Sequence, residues 1–212
     1  KGFPMPSLPH SKKTYRASCP KVVLRKALLA QRSALAPSEA ARLSALIAQR
    51  LLLERCWREA HLVALYVAAR NEVSTEALLD AAWNSGKRVL LPRCLPPEQG
   101  KGLMEFALCR GRNDLVSGAY GLSEPGQQCP VWPLAGEERY PDLMLVPAVG
   151  VSPVGARIGY GKGYYDRLLA RPGWKGVLRI GLVYRFQVVS FPADPKDVPL
   201  HAYLTEKELQ WL

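Results

Sequence analysis

Residues 155–167 have the sequence Gly-Ala-Arg-Ile-Gly-Tyr-Gly-Lys-Gly-Tyr-Tyr-Asp-Arg, with a glycine at every second position from 159 to 163. Glycine removes the side chains that would keep a ligand away from the backbone, and it permits positive φ. The segment follows an apolar stretch at 142–151 and precedes a short helical pattern at 164–170, which Pro172-Gly173 ends. We therefore predict a strand–loop–helix junction whose backbone N–H groups face a ligand.

The charged residues of this loop indicate what the ligand is. Arg157 and Lys162 supply two cations, and Asp166 supplies a carboxylate of the kind that holds a phosphate-bound Mg²⁺. A glycine loop that leads into a helix N-terminus favours anions. The spacing fits neither a P-loop nor a dinucleotide fingerprint, and a plain strand-to-helix turn is the alternative. The density of cations, tyrosines and one acid favours anion binding.

The rest of the chain predicts an α/β fold. Strands are expected at 61–68, 87–93, 103–108, 142–151 and 178–184; helices are expected at 20–32, 37–57, 74–84 and 164–170, with a terminal helix from 205. Strands that are apolar along their whole length and alternate with helices are typical of a mostly parallel sheet with both faces covered. We predict a flexible basic N-terminal tail at 1–19 and a single three-layer αβα domain at 20–212.

Composition narrows the class of protein. The 212 residues are 48% hydrophobic and 22% charged, and no apolar run is long enough to span a bilayer. The five cysteines form no CxxC pair, which favours a reducing compartment, and we expect a cytoplasmic monomer. The net charge is +11, concentrated in residues 11–60. We interpret it as solvated helices that also attract anionic small molecules; neither a membrane nor a nucleic acid is an expected partner.

Several motifs in order resemble one family. Residues 157–167, Arg-Ile-Gly-Tyr-Gly-Lys-Gly-Tyr-Tyr-Asp-Arg, are close to the RLGxGKGYYD signature of 5-formyltetrahydrofolate cyclo-ligase, also called 5,10-methenyltetrahydrofolate synthetase. The resemblance extends from about residue 20 to the C-terminus. Its other parts are Lys21-x-x-x-Arg25, the strand that leads to Glu72, and the segments at 86–93, 121–125 and 197–200.

The resemblance implies an activity. The family closes 5-formyltetrahydrofolate to 5,10-methenyltetrahydrofolate, with ATP as co-substrate and Mg²⁺ as cofactor, and releases ADP and phosphate. The implied route begins with attack of the formyl oxygen on the γ-phosphate. N10 then attacks the carbon of the resulting iminium phosphate. Because an amide oxygen is a poor nucleophile, positioning and charge neutralisation should provide most of the catalysis.

The resemblance also implies roles for individual residues. Lys21 and Arg25 would reach ATP, although their local pattern alone indicates no more than a solvated helix face. Glu72 would bind the pterin, although alone it could equally be a loop carboxylate. The implied nucleotide-binding set is Lys21, Arg25, Arg157, Gly159, Gly161, Lys162, Gly163, Tyr164 and Tyr165, of which Arg157, Lys162 and Tyr165 are catalytic; the implied metal ligands are Asp166 and Asp197, and the implied substrate-binding residues are Val67, Glu72, Arg93 and Tyr120.

The sequence departs from the family pattern at two positions, and two other functions are alternatives to the cyclo-ligase. Asn71 and His201 stand where the family often has acids, but neither carries an assigned role. A non-catalytic descendant could bind folate or RNA through the basic N-terminal face, although such a protein would not need a magnesium carboxylate. A sugar-phosphate isomerase or acyl-CoA transferase on a similar fold would rest on fold analogy alone.

Overall fold

A computed structural model describes residues 21–96, 103–118, 123–137, 139–194 and 197–212. The helices are α1 (Lys21–Ser33), α2 (Pro37–Leu53), α3 (Arg55–Glu59), α4 (Glu76–Asn84) and α5 (Tyr164–Leu169). The strands are β1 (Leu62–Ala64), β2 (Arg88–Cys94), β3 (Met104–Cys109), β4 (Leu115–Ser117), β5 (Ser123–Pro125), β6 (Val131–Trp132), β7 (Leu143–Pro147), β8 (Gly150–Val151), β9 (Arg157–Ile158), β10 (Leu178–Leu182), β11 (Ala202–Leu204) and β12 (Leu209–Trp211). The tail predicted at 1–19 lies outside the described residues.

An eight-stranded mixed sheet forms the centre of the molecule, in the order β12-β11-β10-β7-β1-β2-β3-β6. The five strands from β11 to β2 are mutually parallel, whereas β12, β3 and β6 pair antiparallel at the two edges. The predicted mostly parallel α/β fold is confirmed. The chain runs outward from β1 to β2 and then resumes on the opposite side of β1 with β7, so the connections change direction between β1 and β7. Open α/β sheets bind ligands at such a point.

Alternate residues of the central strands pack into two different apolar layers. Val63 and Leu65 belong to the layer covered by α2 and α4, whereas Leu62 and Ala64 belong to the layer covered by α5. This period of two explains why the strands are apolar throughout, since both faces of the sheet are buried. Helix α1 packs through Leu24 and Leu28 against a third cluster, which includes Ala156 and Ile158 just before the glycine loop.

One predicted element is wrong. The terminal helix expected from residue 205 is a tight turn followed by β12, which pairs antiparallel with β11. The hydroxyl of Thr205 accepts hydrogen bonds from the backbone N–H groups of Lys207 and Glu208, at 3.1 and 3.2 Å. The N–H of Thr205 donates to the carbonyl of Glu208 at 2.9 Å, so the chain reverses at once and pairs with the sheet edge.

Three other boundaries differ from the predictions. The strand expected over 61–68 ends its regular pairing at Ala64, and the chain then leaves the sheet. The helix expected over 37–57 breaks at Glu54, which is extended at φ −73° and ψ 141°. The stretch at 142–151 forms two strands, because the buried side-chain amide of Gln187 donates to the carbonyls of Ala148 and Val149, at 3.2 and 2.8 Å, and occupies those backbone groups. Among the described residues, no helix combines the length and apolar character that crossing a membrane requires.

We expect Gln187→Leu to lower the free energy of unfolding by roughly 3 kcal/mol, because it leaves three buried backbone groups without partners. These are the carbonyls of Ala148 and Val149 and the N–H of Tyr184, which donates to Oε1 of Gln187 at 2.9 Å. Urea unfolding measures the change. The exposed Gln210→Leu is the matched control and should stay within about 0.5 kcal/mol of the parent protein. Equal effects of the two variants would contradict this role of Gln187.

Candidate active site

A cavity of about 360 Å³ opens at the carboxyl ends of β1, β2 and β7, where the connections change direction. Tyr66 and Val67 line it just after β1, Pro92 and Cys94 lie at the end of β2, and Pro147 ends β7. The glycine loop, which follows β7 in the chain, lines the same cavity. The predicted site residues that line it are Lys21, Arg25, Val67, Glu72, Arg157, Gly159, Gly161, Lys162, Gly163, Tyr164, Tyr165, Asp166 and Asp197.

The glycine loop has the backbone that its sequence predicts. Gly161 and Gly163 have φ of 93° and 67°, in the left-handed region that side chains disfavour. Gly163 directly precedes α5, so the loop turns sharply into the first helical residues. From α1, Nε of Arg25 donates to the carbonyl of Gly159 at 2.7 Å. This bond ties the loop to α1 and keeps the Arg25 guanidinium at the cavity.

Arg157 links the two ends of the loop. Its guanidinium is buried, and Nη2 lies 3.0 Å from Oδ1 of Asp166 in the first turn of α5. Nη1 donates to the carbonyl of Pro147 at 3.4 Å, and the guanidinium carbon lies 5.5 Å from the centre of the Tyr165 ring. Its Nε is buried without a hydrogen-bond partner among the described residues. The arginine is thus fixed by Asp166 and Pro147, and one of its donors has no partner among the described residues.

A second ion pair joins α1 to the segment between β10 and β11. Nζ of Lys21 pairs with Oδ2 of Asp197, and the same ammonium lies 5.7 Å from the centre of the Phe191 ring. Oδ2 of Asp197 also accepts the backbone N–H of Asp194 at 3.0 Å. Residues 21 and 197 are far apart in the sequence, and both line the cavity. The structure therefore places a cation and a carboxylate together opposite the glycine loop.

Glu72 supplies a carboxylate on the β1 side of the cavity. Its Oε2 accepts the backbone N–H of Ala69 at 3.0 Å, and its Oε1 accepts the hydroxyl of Tyr160 at 2.9 Å. Burial raises the pKa of the Glu72 carboxyl, whereas the Ala69 N–H and the nearby Arg32 oppose that shift. Burial and the charge of Glu72 raise the pKa of the Tyr160 phenol to about 12, so it remains a hydrogen-bond donor at neutral pH.

The hydroxyl of Tyr165 has no hydrogen-bond partner among the described residues, although the atom is buried. Burial, followed by the negative charge of Glu72, raises the pKa of this phenol well above its usual value. A buried polar atom without a partner is costly, and such atoms are rare in folded proteins. Tyr165 is also one of the residues that line the cavity.

One predicted site residue, Arg93, is not brought into the cavity. Arg93 points to the opposite face of β2, where Nε lies 2.8 Å from Oε1 of Glu105 and Nη1 donates to the carbonyl of Gly126 at 2.7 Å. It lines a separate cavity of about 440 Å³. Neighbouring Pro92 and Cys94 face the site instead, because strand side chains alternate. Tyr120 lies outside the described residues.

The two departures from the family pattern have local structural roles. Asn71 has φ of 57°, and its amide donates to the carbonyls of Arg32 and Leu35 at 3.3 and 3.2 Å. It therefore satisfies backbone groups at and just beyond the end of α1. His201 accepts the backbone N–H of Arg179 through Nδ1 at 3.0 Å, and it does not line the cavity.

The sequence interpretation missed several residues of this site. Tyr160 and Arg70 line the cavity, together with Cys94 and Glu124. Arg32 lies behind Tyr160 and is 1% exposed. A signal for Arg32 was present, since it follows Lys21 and Arg25 on the same helix face at offsets of eleven and seven residues. A helix-face arginine aligned with two implied ligand-binding cations is a candidate for the same cavity.

Asp166 and Asp197 fit a phosphate-bound Mg²⁺. Both carboxylates line the cavity, and their bonds to Arg157 and Lys21 use Oδ1 of Asp166 and Oδ2 of Asp197. Mg²⁺ typically takes one or two carboxylates and completes its shell with water and phosphate oxygens. Within the described ranges, the one group of three residues close enough to share an ion is Cys109, Asp114 and Cys129, which lies elsewhere. Its thiols suit softer metals than Mg²⁺.

The fold and the cavity together define a class of protein. A glycine loop, cations and carboxylates at the switch point of an open α/β sheet are typical of enzymes that act on anionic substrates. The family model described as "5-formyltetrahydrofolate cyclo-ligase family" matches residues 17–206. The chain therefore belongs to the 5-formyltetrahydrofolate cyclo-ligase family.

Individual relatives agree with this assignment. The 5-formyltetrahydrofolate cyclo-ligase of Escherichia coli (strain K12) is 29% identical over 85% of this chain and 98% of its own length. That of Mycolicibacterium smegmatis is 35% identical over 68% of this chain and 73% of its own. The solved structure of Aquifex aeolicus 5,10-methenyltetrahydrofolate synthetase is 30% identical, has a TM-score of 0.76 and covers 90% of this chain and 92% of that one.

We expect Tyr165→Phe to raise the free energy of unfolding by about 1 kcal/mol, because it removes a buried hydroxyl that lacks a partner. Tyr66→Phe is the matched control, since the buried Tyr66 hydroxyl donates to the carbonyl of Val73 at 2.8 Å. That variant should lose about 1 kcal/mol. Chemical denaturation of the ligand-free protein measures both. A loss of stability in Tyr165→Phe would mean that the hydroxyl has a partner after all.

Proposed function

We propose that this chain catalyses the ATP- and Mg²⁺-dependent cyclisation of 5-formyltetrahydrofolate to 5,10-methenyltetrahydrofolate, with release of ADP and phosphate. One observation carries the proposal: a single cavity contains both a cation-rich glycine loop and the separate carboxylate of Glu72. The first suits a triphosphate, and the second suits the N–H groups of a pterin. Membership of the cyclo-ligase family supports the same pair of substrates.

The nucleotide subsite consists of the glycine loop and the cations around it. Backbone N–H groups from Gly159 to Gly163 would meet the phosphates, where the absence of side chains allows close approach. Lys21 and Arg25 from α1, with Arg157 and Lys162 from the loop, would neutralise the phosphate oxygens. The Tyr165 hydroxyl would donate to one of those oxygens, which would satisfy an atom that lacks a partner in the described residues.

The folate subsite lies on the β1 side. Glu72 would accept hydrogen bonds from the pterin, and Val67 would pack beside the ring, since both line the cavity. A carboxylate held by Ala69 and Tyr160 is already oriented before the ligand arrives. Such preorganisation lowers the entropic cost of binding.

The chemistry follows from bringing the two subsites together. The formyl oxygen attacks the γ-phosphorus, the bond to the bridging oxygen of ADP breaks, and an iminium phosphate forms. N10 then attacks the former formyl carbon, N10 loses its proton, and phosphate leaves with the formyl oxygen. Arg157 and Lys162 would neutralise the charge that develops on the transferred group. Mg²⁺ held by Asp166 and Asp197 would supply further charge neutralisation at the phosphates.

We also propose that the enzyme functions as a monomer in the cytoplasm, as one domain over 20–212. Residues of this one chain line both proposed subsites in the described part of the cavity. The described cysteines, Cys56, Cys94, Cys109 and Cys129, are free thiols, which suits a reducing compartment.

The direct test mixes the protein with 5-formyltetrahydrofolate, ATP and Mg²⁺ and follows the near-ultraviolet absorbance of the methenyl product. We expect a rise that requires all three components. If folate binds but no product forms, the chain is a binding protein and the proposed activity is wrong.

We expect Lys162→Ala to weaken ATP binding by about ten- to hundredfold, because a charge-assisted contact to a phosphate is lost. Steady-state kinetics at varied ATP measures the effect. Lys207→Ala removes an exposed lysine beyond the cavity and serves as the control. The phosphate role of Lys162 is excluded if both variants keep the parent KM and kcat.

We expect Asp166→Asn to raise the Mg²⁺ concentration needed for half-maximal activity by about tenfold or more, because a charged ligand becomes neutral. Asp80→Asn, which removes an exposed carboxylate paired with Arg112, is the control. An unchanged Mg²⁺ dependence of Asp166→Asn would count against metal ligation by this residue.

A further inference from the structure

Tyr160 joins the glycine loop to the carboxylate on the other side of the cavity. Its hydroxyl donates to Oε1 of Glu72 at 2.9 Å, and Nη2 of Arg32 donates to the same hydroxyl. The three residues come from the glycine loop, the segment after β1 and the end of α1. One tyrosine side chain thus contacts the protein at both proposed subsites.

The position of Tyr160 makes this contact sensitive to the loop. It lies between Gly159, whose carbonyl accepts Nε of Arg25 at 2.7 Å, and Gly161, which is in the left-handed region. Its ring lies 5.5 Å from the guanidinium carbon of Arg32 and 5.8 Å from that of Arg70. The residue is 39% exposed, so its side chain is held mainly by these cations and by its hydroxyl. A shift of the loop backbone therefore moves the hydroxyl relative to Glu72.

Arg32 provides the fixed side of this arrangement. It is 1% exposed, and its Nε and Nη1 are buried without partners among the described residues. A buried guanidinium with two unused donors costs stability unless its charge is compensated. The compensating charge is Glu72, on the far side of the Tyr160 hydroxyl. The stability cost suggests that Arg32 acts on the site, because an apolar side chain would pack there at lower cost.

We propose that Tyr160 couples the two subsites, so that nucleotide bound at the glycine loop increases the affinity of the cavity for the folate, with Arg32 as a positioning residue. The inference rests on the proposed function. Because the loop carries Tyr160, the orientation that its hydroxyl gives to the Glu72 carboxylate is only as well defined as the position of the loop backbone. A triphosphate that fixes the loop also fixes the Tyr160 hydroxyl and, through it, Glu72. Nucleotide binding then supplies the free energy that orders the loop and Glu72, so the folate binds more tightly.

The charge of Glu72 gives a second readout of the same contact. The groups that face it are Arg32 from α1, Arg70 and the Ala69 N–H from its own segment, Tyr160 from the loop, and Tyr66, Tyr165 and Tyr184 from the surrounding elements. Burial raises the pKa of Glu72, and the Tyr160 hydroxyl opposes that rise. Removing the hydroxyl therefore raises the pKa further. Folate binding that needs the ionised carboxylate should then be lost at a higher pH as the solution is acidified.

The experiment measures the Kd of 5-formyltetrahydrofolate by titration calorimetry, with and without a saturating non-hydrolysable ATP analogue and Mg²⁺. In the parent protein we expect the analogue to tighten folate binding by at least about fivefold. In Tyr160→Phe, which keeps the ring and removes the hydroxyl, the ratio should approach one, and the acidic limb of binding should move to higher pH. Tyr140→Phe, whose ring packs edge-on against Trp174 away from the cavity, should keep the parent ratio.

The coupling is refuted if Tyr160→Phe retains the parent ratio, or if the parent protein binds folate equally well with and without the analogue. Product formation by the parent protein in parallel keeps this result separate from the proposed function. A parent protein that turns over without coupling refutes only the inference on Tyr160. A parent protein that binds neither substrate refutes both.

Discussion

The ion pair between Arg157 and Asp166 holds the glycine loop in its shape. Arg157 lies in β9, just before the loop, and Asp166 lies in the first turn of α5, so their contact at 3.0 Å joins the two ends of the loop. The Arg157 side chain is almost fully buried, whereas the Asp166 side chain is 30% exposed. Burying an arginine this deeply is worthwhile only when its charge is matched, because the desolvation cost is large. The loop, the pair and the proposed metal ligand therefore form one structural unit.

The apolar packing of α1 decides where the other cations lie. Leu24 and Leu28 pack with Ile158 and neighbouring apolar residues beside the loop, which fixes the rotation of the helix. Once that face is buried, Lys21 and Arg25 project into the cavity and Arg32 lies behind Tyr160. This hydrophobic contact thus places two positive charges at the cavity and a third beside Tyr160 of the proposed phosphate-binding loop. Part of the excess positive charge in this region of the chain is therefore located at the cavity.

Much of this organisation could be predicted from the sequence. The alternation of apolar strands and helices is sufficient to predict the parallel sheet. The spacing of the glycines is sufficient to predict the loop, since both features follow from local sequence. The resemblance supplied Lys21 and Arg25, whose local pattern alone indicated only a solvated helix face. The turn at Thr205 was not predictable from pattern, because a helix start and a tight turn share the same residues there. Pairing with β11 decides between them.

The contacts that depend on side-chain direction were harder to predict from the sequence. Arg93 was expected at the site, but strand alternation directs it to Glu105 on the opposite face. Tyr160 occupies the variable position of the signature, so its bond to Glu72 could not be inferred without the three-dimensional arrangement. Sequence patterns give the elements and their order. The partner of each side chain depends on the register and twist that packing imposes.

In the proposed mechanism, the formyl oxygen of the folate and the γ-phosphate of ATP meet in this one cavity. The most direct test uses 5-formyltetrahydrofolate labelled with ¹⁸O in the formyl group and mass spectrometry of the released phosphate. We expect each released phosphate to carry one ¹⁸O atom from the substrate. Unlabelled phosphate, with the ¹⁸O recovered in water, would show that the formyl oxygen never bonds to phosphorus and would contradict the proposed mechanism.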